Sequence, residues 1–595
     1  MYLRCNERFK NGKNHRYWNI VENKRTSGNR NVQRQVLYLG EISDNQEYAW
    51  RKTIEVFEDG HKEPRQMLLF PVEEKSRHKS EHNAIHVRLN ELQIKNPRQW
   101  GACWLFCELW NLLELDRFWR DKLLPSRKGT RWLNVFKVLT AYRLIDPGSE
   151  WRLHRLWYEQ SAIGDLLGED YGLVQKDKLY RCLDKLLKHK EELFSFLRER
   201  WQNMFNAKFD ILLYDLTSTY FECDPPDIGI RKFGYSRDKR PDCVQVVIAL
   251  IVTPEGFPLA YEVMPGNTKD SNTLEGFLKK VEDMYGKANR TWLMDRGIPT
   301  EETIKKMKDS QYPIKYLIGT PKGRLTELEK GFLDKPWEEV REKVKVKLLK
   351  QDGELYVLVE STDRVNKERS MRMRRLKKLW VRLKQLQAQN NTRDQLLLKI
   401  GAAKKEAGRA YSLVKINLPN EKGPVNKETF TFSLKKDQLR KVRKKEGKYL
   451  LRSNLTATDP GLLWKQYMLL GEVEQAFKEI KGDLLIRPIH HQKDSRIDAH
   501  IFVAFQAYCL NVTLKQRLKL LAPGLTPRAV IEKFKKIQMV DVHLPTTEGK
   551  LLVLTRYTQP EREHNMLLYQ MKLNLPKQAP PKITSSGENI VKKKR

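Results

Sequence analysis

The stretch from Lys208 to Gly319 constrains the fold most, because apolar β-branched runs alternate there with amphipathic helical ones. FDILLYDLTSTYFE, VQVVIALIVT and FPLAYEVM read as strands, the last two joined by the turn Pro254-Glu255-Gly256. The helix NTLEGFLKKVEDMYGK, the short strand RTWLMD, the helix EETIKKMKD and the strand YPIKYLIG follow. Three strands, a helix, a strand, a helix and a strand predict an α/β domain with a mixed sheet. Asp215 sits in the middle of the first strand. A lone carboxylate in a buried strand is costly unless it is paired or coordinated, which makes Asp215 a site candidate. Asp295 ends the RTWLMD strand; neighbouring strands would bring the two residues to where sites in such sheets gather. An Asp at a strand end by itself also serves to cap a turn or helix.

With 595 residues the chain is expected to hold three or more folded parts. Residues 1–90 read as a small β-containing module in which RYWNIVE and QRQVLYLGE flank TSGNR; its basic residues suit either a DNA contact or a protected β-edge. Residues 96–204 carry helical periodicity in WLFCELWNLLELDRFW, WLNVFKVLTAYRLI and KLYRCLDKLLKHKEELFSFL, with Asp146-Pro147-Gly148-Ser149 ending one helix and capping the next. These stripes are cores first, in a bundle of a size that often binds DNA. After the α/β part, 208–319, residues 320–458 read as a β-rich insertion with a basic helix. Its run Arg372 to Lys384 suits a DNA grip and a solvated hairpin equally. Residues 459–515 hold the helix WKQYMLLGEVEQAFKEIK, a turn, and a mostly apolar buried helix. His490 and His491 read as turn residues and His500 as a hydrogen-bonded core residue. Residues 516–576 form a C-terminal region suited to dimerisation, and the charged, Pro- and Ser-containing tail 577–595 is expected to be disordered.

Lys and Arg number 112 against 75 Asp and Glu, a formal net charge of +37 spread along the chain. Such a charge attracts polyanions and points to nucleic acid. A membrane partner is disfavoured, since no apolar run reads as approaching the ~20 residues of a spanning helix. The start lacks the apolar core of a signal peptide, so a cytoplasmic location is expected. Seven Cys without a CxxC pair predict buried free thiols in place of a zinc site or disulfide framework.

On the helix Trp464 to Lys481, Tyr467, Glu474 and Lys481 recur every seven residues and form one stripe, with Glu472 about 200° away from Glu474. A solvated amphipathic face has the same pattern. Three carboxylates, from two strands and this helix, in a strongly basic chain suggest a metal-dependent phosphodiester enzyme. Mg²⁺ prefers oxygen ligands, and a pair of ions about 3.5–4 Å apart activates the attacking oxygen and stabilises the leaving one. That chemistry requires no nucleophilic side chain.

YDLTSTYFE, FGYSRDKRPDCVQVVIALIVTPEGFPLAYEVMPGNTKDSNTL, WLMDRG, and YMLLGEVEQAFKEIKGDLLIRPIHH followed by RIDAHIF together resemble bacterial insertion-sequence transposases of the DDE class. More narrowly they are similar to the superfamily named for insertion sequence four, over about residues 96 to 515. The resemblance implies an RNase H-like catalytic domain interrupted by a β-rich insertion, with the catalytic and metal-binding triad at Asp215, Asp295 and Glu474. It implies two Mg²⁺ ions, with Mn²⁺ as a substitute. The signature around the Glu falls on Tyr467, Leu470, Glu474 and Lys481, so Leu470 stands where an Arg is expected; Lys465 or Lys478 is the alternative source of that phosphate contact. Tyr467, Lys478, Lys481 and Arg487, with Arg237, Lys239 and Arg240 in the loop before the hairpin, are the implied DNA contacts; the loop trio alone also suits a solvated basic loop. The partners implied are the element's terminal inverted repeats, target DNA and a second copy in the DNA complex, in a nucleoid-associated bacterial protein. The alternatives are an RNase H-like nuclease that does not join DNA and an inactive transposase-derived DNA-binding protein, the latter given weight by Leu470.

Overall fold

The β-branched runs around Asp215 form a three-stranded antiparallel meander, Ile211–Tyr220, Gln245–Val252 and Pro258–Pro265, in the computed structural model of the chain. The structure describes residues 1–10, 13–25, 31–43, 46–47, 50–51, 85–222, 229–270, 273–286, 290–309, 314–320, 324, 327–389, 391–420, 425–456 and 459–585. Two units divide the chain, one made of residues 1–6, 16–288 and 471–595, the other of 7–15 and 289–470.

In the first unit the middle strand of the meander is buried at every position, as its unbroken apolar sequence requires. Its turn places Gly256 at φ +91°, a conformation strained for any residue with a Cβ. The Gly256 carbonyl accepts a hydrogen bond from buried Tyr508 at 2.9 Å, tying the turn to the helix Asp494–Leu521. Length and composition alone would let this helix cross a membrane, contrary to the expectation that no run reaches that size. However, 94% of its most apolar window is buried in the protein, so it is a core helix. The helices Trp132–Ile145 and Lys176–Leu186 pack on it, with Phe136 stacked on Phe502. The expected break follows Ile145, and Ser149 Oγ then accepts from the Arg152 amide at 3.3 Å.

The C-terminal region does not stand apart within this unit. Gln538–Pro545 pairs with Lys550–Tyr557 on one side and with Gln93–Gln99 on the other. The tail expected to be disordered supplies Lys582–Ser585 as a further strand beside Lys550–Val553; backbone pairing orders what composition alone reads as loose. Residues 586–595 of that tail, and the TSGNR turn at 26–30, lie outside the described residues. The strands flanking that turn, Lys13–Arg25 and Asn31–Gly40, pair as a hairpin.

In the second unit Thr291–Met294 and Lys315–Thr320 run parallel, connected through the helix Glu301–Asp309. Lys448–Ser453 pairs antiparallel to Lys315–Thr320, then Glu354–Ser361, Val344–Gln351 and Glu338–Arg341 extend the sheet in turn. The strands read as part of an insertion after Gly319 thus continue the sheet of Asp295. Their separation in sequence hid this, because pairing partners 130 residues apart, such as Thr320 and Leu450, leave no local trace. The excursion between Ser361 and Lys448 is chiefly helical, with Thr362–Ala388 and Arg393–Ala407 packed through Leu379, Leu383, Leu386, Leu396 and Ile400. Arg372, within the run read as a DNA grip, is buried against Glu446.

The helix predicted from Trp464 to Lys481 is broken. Pro460–Met468 starts on Asp459, whose side chain accepts from the Gly461 and Leu462 amides; Leu470–Lys478 follows, and a π-helical turn covers Glu479–Asp483. Cys103, Cys182 and Cys509 are buried free thiols, their pKa values pushed up by burial and their reactivity low.

Candidate active site

Alternation along Ile211–Tyr220 puts Asp215 and Thr217 on one face and Tyr214 and Leu216 on the other. Tyr214 and Leu216 are buried, and Asp215 is half-buried, with Oδ1 accepting from the Leu216 amide at 2.8 Å. Thr217 lines a small apolar cavity with Leu250, the cross-strand neighbour of Asp215, and with Phe477, Ile480 and Lys481. The sheet face that carries Asp215 is therefore the face covered by the Glu474 helix and the turn that ends it.

Three glutamates occur on that segment, and their surroundings differ. Glu472 accepts from Lys515 at 3.0 Å. Glu479 is buried, accepting from Gln475 and from Asn511, each at 2.9 Å, and burial raises its pKa. Glu474 is exposed, and its carboxylate makes no hydrogen bond or ion pair among the described residues. Val473, Ala476, Phe477 and Ile480 bury the opposite side and set this orientation. The π-helical turn interrupts the 3.6-residue period before Lys481, so the seven-residue stripe is not a regular one.

Lys481 and Arg487 meet on Asp238, a residue outside the expected site. Asp238 is almost wholly buried; its Oδ1 takes Lys481 Nζ at 2.8 Å and also pairs with Arg487. Burial lowers the Lys481 pKa, and Asp238 opposes that shift. Asp238 lies inside SRDKRP, one acid among three cations, and that exception in charge is its signal in the sequence. Two of the loop cations expected to face DNA are also engaged with acids. Arg237 pairs with Asp270 and donates its backbone amide to Ser218 Oγ at 3.2 Å. Arg240 pairs with Glu222 at 3.0 Å and Asp242 at 2.9 Å, and lies over the Tyr220 ring. Lys239 and Lys478 are exposed.

Asp295 and Tyr467 belong to the second unit and meet there. Asp295 is exposed just beyond Met294, and its Oδ1 accepts from the Arg296 amide at 2.7 Å and from the Tyr467 hydroxyl at 3.4 Å. Burial and the adjacent carboxylate raise the Tyr467 pKa, keeping its hydroxyl a donor. Tyr467 passes over Gly319, where a Cβ would lie 2.5 Å from the hydroxyl oxygen. Gly319 is thus a supporting residue that no spacing rule indicated. Leu470, the departure from the resemblance's signature, is 8% exposed and serves packing.

Each of Asp215, Asp295 and Glu474 offers oxygen donors alone, the chemistry that suits Mg²⁺ and Mn²⁺. Among the described residues the group of metal-ligating side chains found to converge is buried Glu150, His491 and His500, with ligand atoms within 4.8 Å of one another. Arg143 approaches Glu150 to 3.8 Å and His500 to 3.5 Å, so a guanidinium already supplies the cation of that cluster.

No curated protein matches the chain. Among solved structures, a piggyBac transposase synaptic complex with hairpin DNA, determined by cryo-EM, is 8% identical with a TM-score of 0.35, covering 72% of this chain and 76% of that one. Residues 218–510, which hold Asp295 and Glu474 and begin three positions after Asp215, match the family described as the transposase DDE domain.

Proposed function

We propose that this chain is a DNA transposase of the DDE class, with an RNase H-like core of the insertion-sequence-four superfamily. The observation that carries the reading is the packing of the Glu474 helix on the Asp215 face, in and beside a stretch similar to transposase DDE domains. In this reading Asp215, Asp295 and Glu474 hold two Mg²⁺ ions, which when bound activate the attacking oxygen and stabilise the leaving one. Tyr467 steadies the Asp295 carboxylate by donating its hydroxyl. Lys481 and Arg487 exchange Asp238 for a DNA phosphate, and exposed Lys239 and Lys478 meet the backbone nearby, joined by Arg237 and Arg240 as they leave their acidic partners.

Cleavage adds a water oxygen to phosphorus and breaks the P–O3′ bond; the attacking water gives up a proton and the freed 3′-oxygen takes one up. In strand transfer that 3′-hydroxyl oxygen attacks a target phosphorus, and the target's own 3′-oxygen leaves. Helical residues 96–204 are assigned to DNA binding and 516–576 to dimerisation on the element's terminal inverted repeats, in a nucleoid-associated cytoplasmic protein.

The test uses the full-length protein, Mg²⁺ or EDTA, a duplex carrying the inverted repeats that flank the gene, and a supercoiled target plasmid. The expected outcome is metal-dependent cleavage at the repeat and joining to the plasmid, both lost in Asp215→Ala, Asp295→Ala and Glu474→Ala. Cleavage without joining would mark a nuclease, and binding alone an inactive derivative. Cleavage that survives all three substitutions would overturn the site assignment.

A further inference from the structure

The motif RPIHH and the helix that follows it leave two histidines that the proposed chemistry does not use. Both point at Glu150. His491 Nε2 lies 3.3 Å and His500 Nδ1 3.5 Å from the same Glu150 oxygen, and Arg143 is 3.8 Å from it. All four residues are at most 7% exposed. The cluster then reaches outward to the backbone. Arg143 Nη1 donates to the Leu485 carbonyl at 3.0 Å, and His500 Nε2 lies 3.2 Å from the Ile486 carbonyl. A carbonyl can only accept, so Nε2 carries the proton and neutral His500 presents the Nδ1 lone pair to Arg143.

Those carbonyls are the two that directly precede Arg487. They belong to a segment with little regular structure to hold it: Leu485 sits at φ +42°, outside the range a leucine prefers. Beyond Arg487 the segment is fixed again, by the Ile489 amide donating to Tyr220 O at the end of the Asp215 strand. A buried Arg–Glu–His–His cluster is a poor means of stabilising a core, because apolar residues of similar volume do as well without the desolvation penalty. What it offers is direction, with two donors aimed at consecutive carbonyls.

We propose that Arg143, Glu150, His491 and His500 are positioning residues: they lock the segment between the Glu474 helix and Asp494–Leu521 so that Arg487 points at the phosphate position now held by Asp238. Glu150 is the hub, since it fixes the Arg143 guanidinium and the His491 ring, and Arg143 in turn donates to His500 Nδ1. The phosphate role of Arg487 rests on the function proposed above, whereas the lock itself does not.

The experiment compares full-length wild type, Glu150→Gln, Arg487→Ala and the double variant. Circular dichroism verifies folding, hydrogen exchange reports on peptide 483–491, and affinity for a random-sequence 40-bp duplex is measured across salt concentrations. Glu150→Gln is expected to speed exchange in 483–491 at least tenfold while leaving 245–252 unchanged. It should also lower the log–log salt slope by about one, as Arg487→Ala does, because one phosphate contact is lost. The double variant should show no further fall, since both changes remove the same contact. His500→Gln, which keeps an amide donor for the Ile486 carbonyl, should retain the wild-type slope, and His500→Leu should not; this pair decides the matter if Glu150→Gln fails to fold. Unchanged exchange in 483–491, or additive effects on the slope, would overturn the lock. If Arg487→Ala leaves the slope at the wild-type value while exchange responds to Glu150→Gln, the lock stands and the DNA role of Arg487 falls.

Discussion

Gly319→Ala tests how Asp295 is held. The added Cβ would lie 2.5 Å from the Tyr467 hydroxyl oxygen, 3.3 Å from Cζ and 3.5 Å from the Arg296 amide nitrogen. Ordinary contact begins near 3.4 Å, so the hydroxyl must retreat by about 0.9 Å (3.4 − 2.5), while the ring carbon and the backbone need give almost nothing. The hydroxyl is already 3.4 Å from Asp295, so a retreat breaks that bond. Overpacking of this kind costs about 1–3 kcal/mol. Against it stands a gain of about 0.4–1 kcal/mol from stiffening the unfolded chain, because Gly319 does not use a left-handed conformation. The net expectation is a loss of about 1–2 kcal/mol, or roughly 2–8 °C in melting midpoint for a unit of this size. Tyr467→Phe alone removes a long hydrogen bond and should cost no more than about 1 kcal/mol. Because the clash is with the hydroxyl, Gly319→Ala with Tyr467→Phe should recover most of the stability lost by Gly319→Ala. The assay is the melting midpoint of the four proteins, with hydrogen exchange in peptide 315–320 to localise the effect. Additive losses would refute the contact as the reason for glycine here.

Three further outcomes follow from the same surroundings. Glu474→Gln should reduce Mg²⁺-dependent DNA cleavage at least a hundredfold, whereas Glu472→Gln, whose carboxylate is held by Lys515, should stay within about threefold in a gel assay; equal losses would remove the distinction. In the second unit Glu354 is buried among Arg452, Lys308, Tyr316 and Tyr356, and its carboxyl is depressed to about 2 by hydrogen bonds from all four, which overcome the opposing effect of burial. Glu354→Ala strands the Arg452 charge and should cost about 3–5 kcal/mol, visible as early melting of 315–320 and 448–453 in exchange experiments; in wild type this contribution is present above the ordinary carboxyl range near pH 4.5 and is lost as pH falls toward 2. Burial, and secondarily Arg143, depress His500 from 6.5 to about 4 while Glu150 and His491 also face it. Its unfolded form therefore binds more protons between those values, so stability is full above pH 6.5 and falls on acidification to pH 4 by roughly 3 kcal/mol. His500→Gln should flatten that part of a stability-versus-pH curve.

The sequence by itself determined the elements whose periodicity and turn chemistry are local. The unbroken apolar run at Gln245–Val252 had to be a strand covered on both faces, and Pro254-Glu255-Gly256 had to turn it back. Asp215 stood out as a candidate because a carboxylate in a strand is an exception to local composition, and Glu474 as another through spacing and resemblance. Tertiary structure decided which polar groups meet. Asp238 became the partner of Lys481 and Arg487, and Glu150 came to face His491 and His500, through contacts between residues more than 200 positions apart. Local rules could not place Lys448–Ser453 beside Lys315–Thr320, nor draw the tail strand Lys582–Ser585 into a sheet. Burial and backbone pairing are settled by the whole packed chain, whereas hydrophobic period and turn preference are written in a few adjacent residues.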